Sequence, residues 1–599
     1  MMTNKQLRYV GTQESNSLYH HGQLRPVIGT HNIQVLRANR KHPEWADGYG
    51  WTFNHSPMIT YWKNKFYLQY ISTPNGENIP PCHALLCESV DGITWGSPKV
   101  IFPPYLISKW PEDVETLSVQ NSYAMMHQRM SFYHAPNGKL LCTCFYGVTP
   151  TPCTMPNNGK GIGRIVREIK PDGSFGDIFF IKYNQHVGWN ESNTNFPYYL
   201  ESEDRNFVFA CDALLTDPLI NLQWWEEEQD PNTIYPLSGI KAPSFYHIDS
   251  DIMVAVGKWS KYSFSVDNGV TWNKPINSKN IKTTGGKVWG QKSSSGFYNL
   301  FLNPNTHDHY RWPLSVLVGK DGWNFSSHYL INGEVPMRRY FGLHKYYGLN
   351  YVVGIPETHN QPPGNDIWIT YSMNKEDIWV SKIPDPYRVT EISHLNEIFN
   401  RYNNHLKDWN IYKPLWSSWR VVDLPYKYKQ SLEIKSCEPS DYIKLERVFP
   451  MSKKVNIKLS AMARQCTHGH LDVEIVDETG NAASHITFKS DGYLYFSSNG
   501  GEIPLFKYKP NIWYEFNLSL NFYNRIGSLK IKNGIEVLER LFNLNYDICS
   551  VERIVFRTGM KRNFPNINTK INYPDLNNVE EPITSSLYYI NYVNTSTVE

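Results

Sequence analysis

The chain has 599 residues, a formal net charge of +3, 19% charged residues and 14% aromatic residues. A nearly neutral chain without long basic runs has no electrostatic footprint for nucleic acid, so no nucleic-acid partner is expected. No stretch approaches the roughly 20 apolar residues that a membrane helix needs, so no membrane partner is expected. Low charge with many aromatic residues favours β-structure and argues against disorder, and the length predicts more than one domain.

The nine cysteines form no CxxC pair, so no metal site is predicted. The first residues, "MMTNKQLRYVGTQESN", lack the apolar core of a secretory signal. Reduced thiols and a cytoplasmic address are therefore expected; the alternative is a secreted or periplasmic protein whose leader has been removed. No cofactor is predicted, and a structural Ca²⁺ ion and a homodimer are left open.

Strand-like runs alternate with Gly, Asn, Asp and Pro turns from about residue 20 to residue 385. A repeating unit of two strands joined by a polar turn, the first rich in aromatics, begins near residues 56, 129, 195, 242, 294 and 340. Examples are "SPMITYWKNKFYLQYIS" and "NFPYYLESEDRNFVFACDAL". A unit of roughly 45–70 residues predicts the blades of a β-propeller. Six blades are countable, a seventh would come largely from residues 1–55, and "NIQVLRA" (Asn32 to Ala38) is expected to close the ring.

Longer alternating strands such as "VNIKLSAMA" begin near residue 430 and predict an antiparallel sandwich with one wet face. The expected all-β organisation is a β-propeller catalytic domain over residues 1–390, a bridging segment over 391–430 and a jelly-roll, lectin-like β-sandwich over 431–599. Residues 389–406 show helical propensity. The sandwich is expected to be accessory and to pack on the propeller.

"SVDNGVTW" (Ser265 to Trp272) fits the Asp-box, Ser-x-Asp-x-Gly-x-Thr-Trp, and "SVDGITW" and "GKDGWNF" are weaker copies. The turn needs Asp267 to accept backbone N–H bonds and Gly269 to take positive φ. Such turns stabilise blade ends and identify the architecture, not the site.

These turns and repeats resemble the sialidase-like propellers. "NHSPMITYWKNKFYLQY", "RWPLSVLVGKDG" and "YSMNKEDIWVSKIP" resemble more closely the propeller enzymes that cut uronate-containing polysaccharides, the ulvan lyases and the rhamnose–glucuronate lyases. The resemblance covers roughly residues 40–390, favours seven blades and does not fix the substrate. The arginine triad and the Tyr–Glu pair of true sialidases find no clear match.

The resemblance places His55 where such lyases carry an active-site histidine, as the base that removes the uronate C5 proton. The alternative is a loop histidine that is satisfied by its own surroundings. Tyr123, His127 and Arg129 lie at i, i+4 and i+6, so on a strand they would share one face. A Tyr, a His and an Arg on one face are the residue types that such lyases use. His55, Tyr123, His127 and Arg129 are therefore the candidate catalytic residues.

Four further residues are candidates for substrate binding. Arg311 would hold a carboxylate with its two-pronged guanidinium, and Trp312 would stack on a sugar. Arg338 and Arg339 are similar candidates. "WWEEEQD" (Trp224 to Asp230) offers paired carboxylates for a hydrolase, although adjacent glutamates more often form a solvated face.

The sequence therefore predicts a carbohydrate-active enzyme that cleaves an acidic or rhamnose-containing glycan by β-elimination next to a uronate. Two alternatives stay open, because a fold does not fix a function. One is a glycoside hydrolase of rhamnosidase or sialidase-like type, and the other is a glycan-binding protein without activity. The expected partner in each case is an oligosaccharide or polysaccharide.

Overall fold

The protein is described by a computed structural model. The described residues are 5–111, 122–127, 130–149, 151, 154–305, 307–400, 406–423, 430–499, 501–534, 536–562 and 575–597. No helix in these ranges is both long and apolar enough to cross a membrane. The eight cysteines that fall within them are free.

The chain opens with two strands that complete sheets formed later, β1 (Arg8–Tyr9) and β2 (His31–Leu36). The first propeller sheet contains β3 (Phe53–Trp62), β4 (Lys65–Thr73), β5 (His83–Ser89) and β6 (Lys99–Phe102). The second contains β7 (Met125–His127), β8 (Phe132–His134), β9 (Leu140–Gly147), β10 (Gly163–Ile169) and β11 (Phe179–Tyr183). Within each sheet the strands pair antiparallel, and both β7 and β8 pair with β9.

Two helices follow where the third repeat was predicted, α1 (Arg205–Leu215) and α2 (Pro218–Glu228). Asp204 caps α1 by accepting the backbone N–H groups of Asn206 and Phe207. Alternating Phe207, Phe209 and Cys211 look strand-like, but the buried positions of α1 recur at helical spacing and Phe209 is exposed. Both helices pack on the second sheet, so the predicted repeat at residue 195 is wrong.

The third sheet contains β12 (Ser244–His247), β13 (Met253–Val256), β14 (Lys261–Ser265) and β15 (Ile276–Asn277). The fourth contains β16 (Trp289–Lys292), β17 (Tyr298–Leu302), β19 (Leu314–Gly319) and β20 (Asn324–Asn332), and β1 lies on its edge. The short strand β18 (Tyr310–Arg311) lies between β17 and β19 in the chain. The fifth contains β21 (Tyr347–Gly354), β22 (Ile367–Met373) and β23 (Asp377–Ile383), and β2 pairs antiparallel with β23. Four short 3₁₀ turns occur at Pro43–Trp45, Gln185–Val187, Glu191–Asn193 and Tyr199–Glu201.

The described residues thus form five propeller sheets, where six or seven blades were predicted. The strand expected to close the ring does so, because β2 completes the sheet of β21 to β23. The first strands β3, β12, β16 and β21 contact one another around the axis. The aspartate turn between β14 and β15 has the predicted bonds: Asp267 accepts the Thr271 N–H at 2.8 Å, and Gly269 has φ +86°.

The C-terminal part is a two-sheet β-sandwich, as predicted. One sheet contains β25 (Trp409–Lys413), β28 (Lys444–Ser452), β37 (Val551–Arg557), β30 (Leu471–Val476), β31 (Ala482–Phe488), β32 (Tyr493–Ser497) and β33 (Glu502–Lys507). The other contains β26 (Ser417–Asp423), β27 (Gln430–Ser436), β38 (Ser586–Ser596), β29 (Lys454–Ala463), β34 (Tyr514–Asn521), β35 (Ile526–Asn533) and β36 (Glu536–Asn543), and β24 (Asn396–Ile398) pairs with β38. The predicted bridge at 391–430 therefore supplies strands β24 to β26 to the sandwich, and β24 is a strand inside the stretch predicted to be helical.

Backbone hydrogen bonds join the two domains directly. Strand β2 of the propeller pairs in parallel with β25 of the sandwich, so a single twelve-stranded sheet runs through both. The buried side chains of Arg37 and Glu438 form an ion pair of 3.0 Å across the same junction. The sandwich is thereby held against the propeller by a shared sheet and not by a flexible linker.

Candidate functional site

One end of the propeller, here called the mouth, gathers most of the polar side chains near the axis. His55 stands near the start of β3. The loops between the second and third strands of four sheets bring in Glu77, Lys258, Arg311 and Lys375. In a closed ring these loops and the starts of the first strands lie at the same end.

His55 is fully enclosed at the mouth. A bulge after it, with Ser56 at φ +51°, directs the imidazole toward β22, where its Nδ1 lies 2.8 Å from the Ser372 hydroxyl oxygen. Burial, together with Lys375 and other nearby cations, holds the pKa of His55 well below its usual value. A buried, weakly basic imidazole is a poor proton acceptor, which argues against the role of base predicted for it.

Tyr351 packs against this histidine with the ring centres 4.4 Å apart. It has φ +56°, a conformation that costs energy for a bulky residue, at a bulge between Asn350 and Val353 of β21. The Lys258 ammonium donates a hydrogen bond of 2.6 Å to the Tyr351 hydroxyl oxygen. An ammonium at this distance stabilises negative charge on the phenol oxygen, so Tyr351 is the side chain at the mouth best suited to act as a nucleophile.

Two more cations surround this phenol. Lys375 is ion-paired with Glu77 and lies 4.5 Å above the Tyr346 ring. Burial lowers the pKa of Arg311, while Tyr351 and Asp308 act in the opposite direction. Burial also lowers the pKa of Lys375, partly offset by Glu77. The mouth therefore gathers three cations, Lys258, Arg311 and Lys375, against the carboxylates of Glu77 and Asp308, and this surplus of positive charge suits an anionic group.

His127 approaches the mouth from β7 and belongs to a buried charged network. Its Nδ1 lies 2.5 Å from Glu227 Oε1, and the other carboxylate oxygen of Glu227 is bonded to Arg164. His127 is close enough to His55 to lower that residue's pKa. A carboxylate behind one ring nitrogen fixes the orientation of the imidazole and stabilises its cationic form.

The glutamate run of α2 is not the solvated face that such runs usually form. Glu226 accepts the Ala242 N–H at 2.7 Å, Glu227 joins the His127 network, and Glu228 pairs with Lys182 at 2.5 Å. All three are buried, because α2 lies across the second sheet with this end turned inward.

An exposed aromatic side chain occurs at the mouth, but it is not the predicted Trp312. Trp312 is fully buried, and its indole N–H donates to the Ser17 carbonyl oxygen at 3.1 Å, which argues against contact with a sugar. Trp259, next to Lys258 at the mouth, is 43% exposed, and its Nε1 lies 3.4 Å from Asp308 Oδ1. An exposed indole presents an apolar face on which a sugar ring can pack.

Three of the remaining predicted residues have other partners or surroundings, and the fourth lies outside the described residues. Arg339 is buried in ion pairs with Glu376 and Asp377. Arg338 is buried and donates to the Lys345 carbonyl oxygen. Tyr123 lies in a bridge with Leu106 and is 37% exposed. Arg129 lies outside the described residues.

One group of metal-type ligands occurs among the described residues, Asp472, Glu474 and His485, with ligand atoms within 4.8 Å of one another. It lies in the sandwich, where Glu474 already binds Arg557 at 2.8 Å and Asp472 accepts the Thr487 hydroxyl at 2.7 Å. These bonds satisfy the Asp472 and Glu474 carboxylates without a metal ion.

Of the residues singled out from the sequence, His55, His127 and Arg311 lie at the mouth, whereas Lys258, Trp259, Tyr351 and Lys375 were not singled out. Two of these residues, Trp259 and Lys375, could have been found from turn signals in the sequence. "GKWS" and "MNKE" are short connections between strands, and Trp259 and Lys375 have φ near +55°. Tyr351 gives no such signal, because its bulge depends on the pairing of β21 with β22.

The comparisons with known proteins agree with this architecture. Residues 5–240 match the family described as BT_1020-like, N-terminal beta propeller, and residues 409–573 match the Sialidase-like, CBM domain. The first region is thus similar to a BT_1020-like β-propeller, and the second is similar to the domain type described as Sialidase-like, CBM domain.

A solved structure described as "Sialidase" is 36% identical over 99% of this chain, with a TM-score of 0.92. The chain spans 54% of that protein's length, about half. Trypanosoma rangeli sialidase with 2,3-difluorosialic acid is 9% identical, with a TM-score of 0.35 and coverage of 96% and 97% of the two chains, too distant to carry a conclusion. The comparison with curated proteins gave no match. None of these matches supports the resemblance to lyases.

Proposed function

We propose that the protein is a glycoside hydrolase that acts at the mouth on a glycan carrying an acidic sugar. The observation that supports this most is the hydrogen bond from Lys258 to the Tyr351 hydroxyl, next to Arg311 and Lys375. A phenol with a cationic donor is an activated nucleophile, and neighbouring cations bind a carboxylate. The similarity to a protein described as a sialidase favours hydrolysis over elimination.

In the proposed reaction Tyr351 reacts as the phenolate that Lys258 stabilises: its oxygen attacks the anomeric carbon while the glycosidic C–O bond breaks, and protonated His127, held by Glu227, gives its proton to the leaving oxygen. Water then attacks the anomeric carbon and gives a proton to His127, the bond between the sugar and Tyr351 breaks, and the phenolate is restored. Arg311 and Lys375 hold the carboxylate of the sugar, and Trp259 stacks on the ring of the substrate. Such a site needs no cofactor.

The test uses 4-methylumbelliferyl glycosides of neuraminic acid, glucuronic acid and rhamnose, with a uronate polysaccharide assayed in parallel for the ultraviolet absorbance of an unsaturated product. Release of the fluorophore from an acidic glycoside is expected. Tyr351→Phe should lower kcat roughly 10³-fold or more, while Tyr523→Phe, on the exposed surface of the sandwich, should leave it unchanged. An unsaturated product, or full activity of Tyr351→Phe, would contradict the proposal.

A further inference from the structure

A polar cavity lies between the two domains and shares no lining residue with the mouth. This interdomain cleft has a volume of about 470 Å³, and its lining includes Tyr19, His21, Glu334, Lys444, Arg557 and Lys561. The first three belong to the propeller and the last three to the sandwich. The volume falls within the range of small-molecule sites, which is roughly 300–1,000 Å³.

The cleft carries more positive than negative charge. Its lining holds five basic side chains, Lys444, Arg553, Arg557, Lys561 and Arg562, against three acidic ones, Glu334, Glu446 and Glu474. The carboxylates are all engaged: Glu334 with Lys444 at 3.0 Å, Glu446 with Lys444 at 3.1 Å and Glu474 with Arg557 at 2.8 Å. Outside the lining, Asp441 pairs with Arg562, so one positive charge remains in surplus.

That surplus charge is located at Lys561. Among the described residues this ammonium forms no ion pair, and its one hydrogen bond goes to the Gly480 carbonyl oxygen at 3.0 Å. Burial lowers the pKa of Lys561, Glu474 and Glu334 oppose this shift, and Arg557 and Lys444 add to it. A partly buried cation beside other cations is stabilised by an anion of matching size.

The opposite wall offers groups for the uncharged part of a sugar. The Gln23 N–H donates to His21 Nδ1 at 3.1 Å, and burial lowers the pKa of His21 to about 3, so the neutral ring carries its proton on Nε2. This N–H is a hydrogen-bond donor for a hydroxyl. Tyr19, 39% exposed at the rim, provides an aromatic face for a sugar ring.

We propose that the interdomain cleft is a second carbohydrate site, in which Lys561 binds the carboxylate of an acidic sugar. Both domains contribute to it, so the site exists only where the sandwich packs on the propeller. It is separate from the reaction at the mouth and does not depend on the hydrolase proposal. A glycan held in the cleft by an acidic residue would keep the protein on its substrate between reactions.

The test is isothermal titration of the full chain with D-glucuronate and N-acetylneuraminate, with methyl β-D-glucoside as the neutral probe. Lys561→Met keeps the length of the side chain and removes the charge, and should weaken binding of an acidic sugar at one site about 10–100-fold. Lys561→Arg should retain binding. Lys458→Met, at an exposed position of β29, is the matched control.

Two further measurements separate this site from the mouth. Arg311→Met should leave binding in the cleft intact, and Lys561→Met should leave turnover of a small aryl glycoside unchanged. Unaltered binding of both acidic sugars by Lys561→Met would overturn the proposal, as would equal binding of methyl β-D-glucoside. If Lys561→Met does not fold, as judged by thermal melting, the comparison of Lys561→Arg with Lys561→Gln decides.

Discussion

His55 and His127 both reach the mouth, but their surroundings give them different chemistry. His55 is buried against Ser372 and Tyr351 among cations, whereas the His127 side chain is 14% exposed and backed by Glu227. A histidine transfers protons more readily where its ring is accessible and a carboxylate supports its cationic form. The partly exposed, carboxylate-backed His127 meets this condition better than the enclosed His55.

We therefore expect His127→Gln to lower kcat about 10²–10⁴-fold, the usual contribution of general acid–base catalysis. His55→Gln should change kcat by less than about tenfold, since a buried and weakly basic imidazole transfers no proton. Steady-state kinetics on the substrate found with the aryl glycosides compares the two variants. A larger loss for His55→Gln than for His127→Gln would reverse this assignment.

His83 is a buried histidine whose charge state affects stability. It is stacked on Trp51 at 4.2 Å, and neither ring nitrogen has a hydrogen-bond partner among the described residues. Burial lowers the pKa of His83 to about 3, whereas an unfolded histidine has a pKa of about 6.5. Between these values the unfolded chain binds more protons than the folded one, so stability falls as the pH falls below about 6.5.

From this residue alone the free energy of unfolding should be about 2 kcal/mol lower at pH 5 than at pH 8. His83→Phe should remove that part of the pH dependence, and His468→Phe, at a partly buried position of the sandwich, is the matched control. Urea unfolding of each variant across this pH range measures the slope. An unchanged slope in His83→Phe would show that its ring does not titrate on unfolding.

At the scale of elements, helix α2 supplies the carboxylate that holds His127 of the second sheet in place. The helix places Glu227 between His127 and the fully buried Arg164, which also lies 4.4 Å from the Trp224 ring. The Glu227 carboxylate and the Arg164 guanidinium are both buried, and each compensates the charge of the other. Removing one leaves the other buried and uncompensated.

Glu227→Gln should therefore destabilise the protein by about 3–5 kcal/mol and also lower activity, because His127 loses its carboxylate. Glu203→Gln, at an exposed position before α1, is the control and should have little effect. Differential scanning calorimetry with the activity assay gives both readouts. Wild-type stability of Glu227→Gln would indicate that Arg164 finds another partner.

At the scale of the whole molecule, the junction joins the propeller and the sandwich into one structural unit. The β2–β25 pairing makes one sheet of strands from both domains, and the Arg37–Glu438 pair is buried within it. Because β2 also closes the propeller, the sandwich supports the strand on which ring closure depends. Separation of the domains would expose backbone groups on both sides.

Arg37→Met should destabilise the whole chain by about 3–5 kcal/mol in urea unfolding, since it leaves Glu438 buried without its partner. The double variant Arg37→Met/Glu438→Leu should recover a large part of this loss. Lys530→Met, in the exposed pair with Glu539, should cost less than about 1 kcal/mol. Separate unfolding of the two domains in Arg37→Met would show that the junction couples them, whereas an unchanged transition would argue against it.

Local patterns in the sequence were sufficient for the class of the fold. Alternating side chains and Gly, Asn and Asp turns predicted the propeller, the sandwich and the closing role of β2, because strand periodicity and turn geometry depend on neighbouring residues. The same patterns failed at residues 195–214, where Phe207 and Cys211 fit a strand and a helix equally well. The Asp204 cap and the packing on the second sheet favour the helix.

Tertiary structure alone decided the number of sheets and the surroundings of each candidate residue. Trp312 and Glu227 look exposed in the sequence but are buried, because their neighbours come from residues far away in the chain. The hydrogen bond between Lys258 and Tyr351 likewise joins residues that lie 93 positions apart in the chain. Closing the ring brings these turns to one end, and a ring closes through contacts between distant strands that no local pattern contains.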